Sequence, residues 1–176
     1  PRTESIMSRF GNAQPNNPLP PFKDGEFNLL DNEIIAMIGQ ENFVREQRAG
    51  VLESILVSAW VDKKPKIRSM AWEADTVYEQ WRDLNFGDWG DQLDAMGATM
   101  IIVQFGQMES LDGSERISEF VSAYHRLLDE FASRTQRIVL VSPMPFEKPR
   151  AKHAPDLTQR NSDVANYVEA IRLIAK

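Results

Sequence analysis

From Glu33 onward the chain alternates two hydrophobic patterns. Three short unbroken apolar runs, Ile34-Ile35-Ala36-Met37-Ile38, Thr99-Met100-Ile101-Ile102-Val103 and Ile138-Val139-Leu140-Val141, are stopped by Gly39, Gly106 and Pro143. Strands buried on both faces read this way, because neither face tolerates a polar side chain. A further run from Ile67 to Trp72 predicts a fourth strand. Between the runs, apolar residues recur at helical spacing. Val44, Val51, Leu52, Ile55, Leu56 and Ala59 predict one helix behind a cap at Asn42. Phe120, Tyr124, Leu127, Leu128 and Phe131 predict another behind a cap at Ser114, and Val164, Tyr167, Val168, Ile171 and Ile174 a last one. A looser stretch with Trp81, Phe86 and Trp89 ends in a short helix around 92–96.

Strands alternating with helices make a parallel sheet covered on both faces, so the expected class is α/β, doubly wound. In such sheets ligands bind beyond the carboxyl ends of the strands. The segments to interrogate are therefore 39–42, 73–76, 106–110 and 142–147. Two regions are expected: a proline-rich arm over 1–30 and one α/β domain over 31–176. The arm carries Pro15, Pro18, Pro20 and Pro21, which remove backbone donors, while Leu19, Phe22, Phe27 and Leu29 supply apolar anchors.

Composition narrows the function. The 176 residues hold 20 Lys and Arg against 26 Asp and Glu, a net charge of −6. That balance argues against a non-specific nucleic-acid binder, which needs a basic face. No run approaches the roughly 18 apolar residues of a membrane-spanning helix. With no cysteine, thiol catalysis, disulfides and cysteine-ligated metals are excluded. Only His125 and His153 are available for histidine chemistry. No cofactor is expected. Neither Pro1 nor Ile174-Ala175-Lys176 resembles a natural terminus, so the reading expects a piece of a longer polypeptide.

The post-strand segments, in order, resemble the sequence blocks of the SGNH (GDSL-like) hydrolases. Ile38-Gly39-Gln40-Glu41-Asn42 stands where that family has its Gly-Asp-Ser nucleophile block. Arg68 to Val77, with Glu73-Ala74-Asp75-Thr76, resembles a second block usually ending Gly-Asp-Thr. Phe105-Gly106-Gln107-Met108-Glu109-Ser110 resembles the third, Gly-x-Asn-Asp or Gly-x-Asn-Glu-Ser, and Val139 to Pro143 the fourth strand's Leu-Val-Ser-Pro. Leu84-Asn85-Phe86-Gly87-Asp88 is similar to a variant in secreted planctomycete-type proteins. The resemblance implies a flavodoxin-like three-layer sandwich, here without its C-terminal strand and the Asp-x-x-His block. It also implies a periplasmic or secreted location, and a carbohydrate or acyl-ester ligand.

Departures from the pattern fall on the chemistry. The resemblance places Glu41 at the serine nucleophile, Ala74 at the second-block glycine and Met108 at the oxyanion-hole asparagine. An ionised carboxylate only accepts hydrogen bonds, and methionine has no amide to donate. The expected function is thus a catalytically degenerate domain that binds a ligand, a partner protein or a neighbouring domain of the same polypeptide. The alternative is an active esterase with a rearranged site, with Glu41 and Glu109 as acid and base.

The expected ligand cleft comprises Gly39, Gln40, Glu41, Glu73, Asp75, Gly106, Gln107, Met108, Glu109 and Ser110. Its carboxylates Glu41, Glu73, Asp75 and Glu109 suit either a hard cation or acid–base work. The plainer alternative pairs Glu41 with Arg45 one turn on and spends Asp75 and Glu109 on backbone N–H groups. Ser110 with His153 is the remaining nucleophile–base pair, with His153 in a basic, proline-punctuated loop. His125 lies off its helix's apolar stripe, as a surface residue would. Lys63, Lys64, Lys66 and Arg68 read as a solvated run or a docking patch. Trp72, Trp81, Trp89 and Phe86, with Met108, either line a cleft or pack the loop against the sheet.

Overall fold

The computed structural model describes residues 18–81 and 86–176. Pro15, Leu84 and Asn85 lie outside the described residues. Four parallel strands form one sheet in the order β2-β1-β3-β4: β1 Ile34–Gly39, β2 Lys66–Ser69, β3 Met100–Gln104 and β4 Ile138–Leu140. Ile35 pairs with Met100 and with Ile67, and Ile102 with Val139. The connections are helices: α1 Glu41–Ala49 and α2 Val51–Ala59 after β1, α3 Trp89–Met96 before β3, α4 Ile117–Ala132 after β3 and α5 Asn161–Ile174 after β4.

Period-two alternation within the central strands divides the core. Ala36, Ile38, Ile101 and Val103 face one layer, with Trp89, Phe120, Tyr124, Phe131 and Tyr167 from α3, α4 and α5. Ile35, Met37, Met100 and Ile102 face the other, with Phe43, Val44 and Leu56 from α1 and α2. The result is the expected three-layer α/β sandwich. β2 lies at the sheet edge, so its residues alternate between exposed and half-buried. It stops at Ser69, short of the predicted Trp72, although Met70 and Trp72 still donate to the carbonyls of Met37 and Gly39.

The predicted caps are displaced. The first helix starts one residue earlier than Asn42, with Gln40 at the cap position, and Gly50 at φ +65° divides it into α1 and α2. Glycine reaches this left-handed conformation without a Cβ penalty. Ser114 opens a short 3₁₀ turn before α4, and its hydroxyl donates to Asp163 Oδ1 at 2.9 Å. α3 begins at Trp89, where Asp88 Oδ1 accepts from the Asp91 N–H at 2.8 Å.

The described part of the arm lies against the domain. Leu19 bridges Thr135, Leu29 is buried, and Phe27 meets Trp60 edge-on at 5.4 Å. At the amino end of the sheet Arg137 grips Glu33, with Nη2 2.9 Å from Oε2, and both side chains are buried. Among the described residues, no helix is long and apolar enough to cross a membrane.

Candidate functional site

The site is built where β1 and β3 end side by side. Gly39, at φ +156°, sits so close to the Gln104 carbonyl that a Cβ there would collide with it. The next residue, Gln40, is turned inward and buried. Its Nε2 donates to Glu109 Oε2 at 2.8 Å, and its Oε1 accepts from the Met108 N–H at 3.4 Å. Glu109 also accepts from the Gly106 N–H and the Val77 N–H, each at 2.8 Å. One buried carboxylate thereby joins the loops after β1, β2 and β3. Burial pushes the Glu109 carboxyl above its usual range, and the bonds from Val77, Gln40 and Gly106 oppose that rise without cancelling it.

Tyrosines surround this hub. The Tyr124 hydroxyl is buried without a hydrogen-bond partner among the described residues. Burial, and secondarily the Glu109 charge, pushes its ionisation well above the usual tyrosine range. The Tyr167 hydroxyl donates to the Gly113 carbonyl at 3.0 Å, and burial pushes its ionisation up to about 12.

Other expected site residues go elsewhere. Glu41 occupies the first turn of α1, and its Oε1 takes the Arg45 Nε at 2.8 Å on the surface. Glu73 pairs outward with Arg48 at 3.2 Å. Asp75 is buried and accepts from the Trp81 N–H at 3.1 Å. Glu41, Asp75 and Glu109 thus bond as in the plainer reading, with the Gln40 amide added at Glu109, while the Glu73–Arg48 pair is not part of it. Among the described residues, no cluster of three or more His, Asp and Glu is arranged to hold a metal ion.

Ser110 is fully buried, and its hydroxyl donates to the Gln107 carbonyl at 2.7 Å. His153 and His125 are both exposed, and the Ser110 hydroxyl is bonded to main chain, not to an imidazole. Gln107 reaches across to donate to the Met144 carbonyl at 2.7 Å. Met108 is 39% exposed, while Ala74 holds φ +67° in the second-block turn. Trp89 is wholly buried against Phe131, whereas Trp72, Trp81 and Phe86 are about half exposed or more. In the basic run, Lys63 is paired with Asp31 at 2.8 Å.

Gln40, expected only as a cleft residue, is instead a buried connector between the loops after β1 and β3. Its signal was a polar residue placed between a strand-ending glycine and a helix. Chemically, the arrangement supplies a rigid floor beneath the strand ends, with hydrogen-bonding capacity directed inward.

The fold is similar to that of several solved structures. A gut microbial diltiazem-metabolizing enzyme superposes with a TM-score of 0.62 at 16% identity over 93% of this chain. An acetyl xylan esterase gives 0.59 at 12% identity, covering 81% of this chain and 72% of its own. A protein described as a GDSL-like lipase, from Parabacteroides merdae, gives 0.58 at 15% identity over 84% of this chain and 75% of its own. The chain has the fold of the SGNH hydrolases. It spans 37% of the length of the diltiazem-metabolizing enzyme. No family model matches the sequence, and no curated protein matches it in sequence. Identities this low establish the SGNH fold and leave the chemistry to be argued from this chain's residues.

Proposed function

We propose that this chain is a catalytically degenerate SGNH-type domain, serving as a binding or assembly module of a larger protein or complex outside the cytoplasm. The observation that carries the reading is at the head of α1. Glu41 stands at the nucleophile position of the SGNH pattern, and its carboxylate is committed to Arg45. Acyl transfer needs a nucleophile beside a base and donors aimed at the developing oxyanion. A carboxylate at that position repels the oxyanion, and Met108 offers only its backbone N–H, which points to Gln40. Losing one oxyanion donor alone typically costs about 10²–10³ in rate. The remaining hydroxyl–base pair is also unsuited: Ser110 is buried and bonded to main chain, and His153 is exposed.

An esterase with Glu41 and Glu109 as acid and base is the competing reading. Glu109 has both oxygens occupied by Gln40, Gly106 and Val77 donors. The location outside the cytoplasm and the ligand class are supported by the SGNH resemblance. The test is hydrolysis of p-nitrophenyl acetate and acetylated xylan by the wild type and Glu41→Ala. Release at the buffer rate in both is expected. Turnover in the wild type that Glu41→Ala abolishes would overturn the proposal.

A further inference from the structure

α2 is apolar on the side it turns away from the sheet. Val51 and Ile55 belong to the stripe whose spacing predicts burial, yet past the break at Gly50 only Leu56 of that stripe is buried. Val51, Ile55 and, in the 3₁₀ turn that follows the helix, Val61 leave 55%, 57% and 64% of their surface exposed. Val57 is exposed to a lesser degree, and the exposed Ser54 and Ser58 complete the face. Of the exposed positions from Val51 to Val61, Glu53 alone is charged. A surface helix ordinarily carries its charges on this side.

The stability of the domain does not call for such a face. β-branched residues are poor helix formers, and better formers serve where packing does not decide. A contiguous exposed apolar patch instead marks a contact surface. The Ser54 hydroxyl already donates to the Gly50 carbonyl at 2.6 Å, so it asks nothing of a partner. Two small side chains one turn apart also let a second helix approach closely.

The order of residues along the face indicates that partner. Counting outward from Leu56, Ile55 answers Val57, Ser54 answers Ser58 and Val51 answers Val61. The face therefore offers the same chemistry read from either end. A two-fold axis between antiparallel helices needs this property, since each patch must complement itself. We propose that the face is the contact between two copies of this chain, with α2 packed antiparallel on α2. Phe27, edge-on to Trp60 and partly exposed, extends the uncharged surface past the helix end.

Competing occupants fit less well. A ridge does not enclose a small molecule, which takes a concave site. Helices that lie on a membrane surface carry lysine and arginine beside the apolar face. Here the charged residues within 51–62 are both acids, Glu53 and Asp62, on a chain of net charge −6. A ridge about 15 Å long and one helix wide gives each partner less than the roughly 800 Å² of a standard interface, so the pair is weak and reversible. The proposal goes beyond the binding-module reading and does not rest on it, because an esterase with this α2 would pair the same way.

The test is sedimentation equilibrium of the whole chain from about 5 to 500 µM. An equilibrium between 20.1 kDa and twice that mass is expected, with a Kd of about 5–200 µM. Ile55→Glu, at an exposed position, should raise the Kd about tenfold or more while keeping native circular dichroism. Val51→Lys should act in the same direction. The chain has no cysteine, so crosslinking reads the pairing directly. In the antiparallel pair Val51 of one copy meets Val61 of the other, whereas like positions lie about 15 Å apart, too far for a disulfide. Mixed Val51→Cys and Val61→Cys proteins should therefore oxidise to a heterodisulfide, and neither should crosslink readily alone. Three results would each overturn the proposal: monomer at every concentration, a dimer indifferent to both Ile55→Glu and Val51→Lys, or equally fast crosslinking of either cysteine variant alone. A monomer that floats with phosphatidylglycerol vesicles, and ceases to in Ile55→Glu, would overturn it in favour of a lipid surface.

Discussion

Ala74 shows how one methyl group carries both resemblance and departure. The second-block turn holds this residue at φ +67°, a region where a non-glycine residue pays roughly 1–2 kcal/mol. Glycine would remove that cost and give back about 0.4–1 kcal/mol through its greater freedom in the unfolded chain. Ala74→Gly should therefore stabilise the domain by about 0.5–1 kcal/mol, read as a rise in the urea midpoint at unchanged slope. An unchanged or lower midpoint would mean that the turn tolerates the Cβ without strain. The alanine was legible in the sequence as a departure from the family's glycine. Its strain was not, because backbone conformation is set by the turn that joins Trp72 to Asp75.

Strands and helices were legible where a single period dominates, as in β1, β3, α4 and α5, because buried positions there follow one face. The sequence was a poorer guide at element ends. Asn42 and Ser114 have capping chemistry, yet chain geometry put Gln40 and Arg116 at the cap positions and sent the Ser114 hydroxyl to Asp163. The loops after β1 and β3 begin close to where the apolar runs end, that after β2 begins earlier than its run predicts, and their connection through Glu109 depends on contacts 69 and 32 residues apart in sequence. That connection makes a pH prediction. Burial raises the Glu109 pKa, so the folded chain holds this proton to higher pH than the unfolded chain does. The unfolded form binds fewer protons in that window, and stability therefore falls as pH rises from the ordinary value of 4.5 through the folded-state value. Glu109→Gln removes the ionisation. Its amide nitrogen, in the place of Oε2, can donate to a flipped Gln40 but leaves the Gly106 N–H facing a second donor, so it should lose this pH slope at a cost of about 1–3 kcal/mol. Glu109→Leu, which leaves two backbone N–H groups and the Gln40 amide unpaired, should cost about 3 kcal/mol or more. Urea midpoints of the three proteins between acid and neutral pH test this; an unchanged slope in Glu109→Gln would assign the pH dependence to another group.

For the molecule as a whole, the sheet has a polar fastening at each end, and only one of them lies among the strand-end loops. At the amino end, Arg137 Nε and Nη2 reach Glu33 Oε1 and Oε2 at 3.2 and 2.9 Å, and Nη2 also donates to the Asn28 carbonyl at 2.7 Å. Its guanidinium lies 4.5 Å from the centre of the Phe22 ring. In the sequence, Glu33 and Arg137 stand only as the residues that precede two apolar runs. In the fold they are the buried link between arm, β1 and β4, which no local pattern could reveal because β3 separates the two strands. Removing one partner strands a charge away from water, whereas replacing both with apolar groups strands none. Arg137→Met alone should therefore cost about 3–5 kcal/mol, and Glu33→Leu combined with Arg137→Met should recover most of that loss. Denaturant unfolding of the wild type, the single variants and the double variant closes the cycle. A loss below about 1 kcal/mol in Arg137→Met would show that this pair does not hold the arm to the sheet. Because the Glu109 hub sits at the opposite end of the strands, the double variant should keep the pH slope of the wild type.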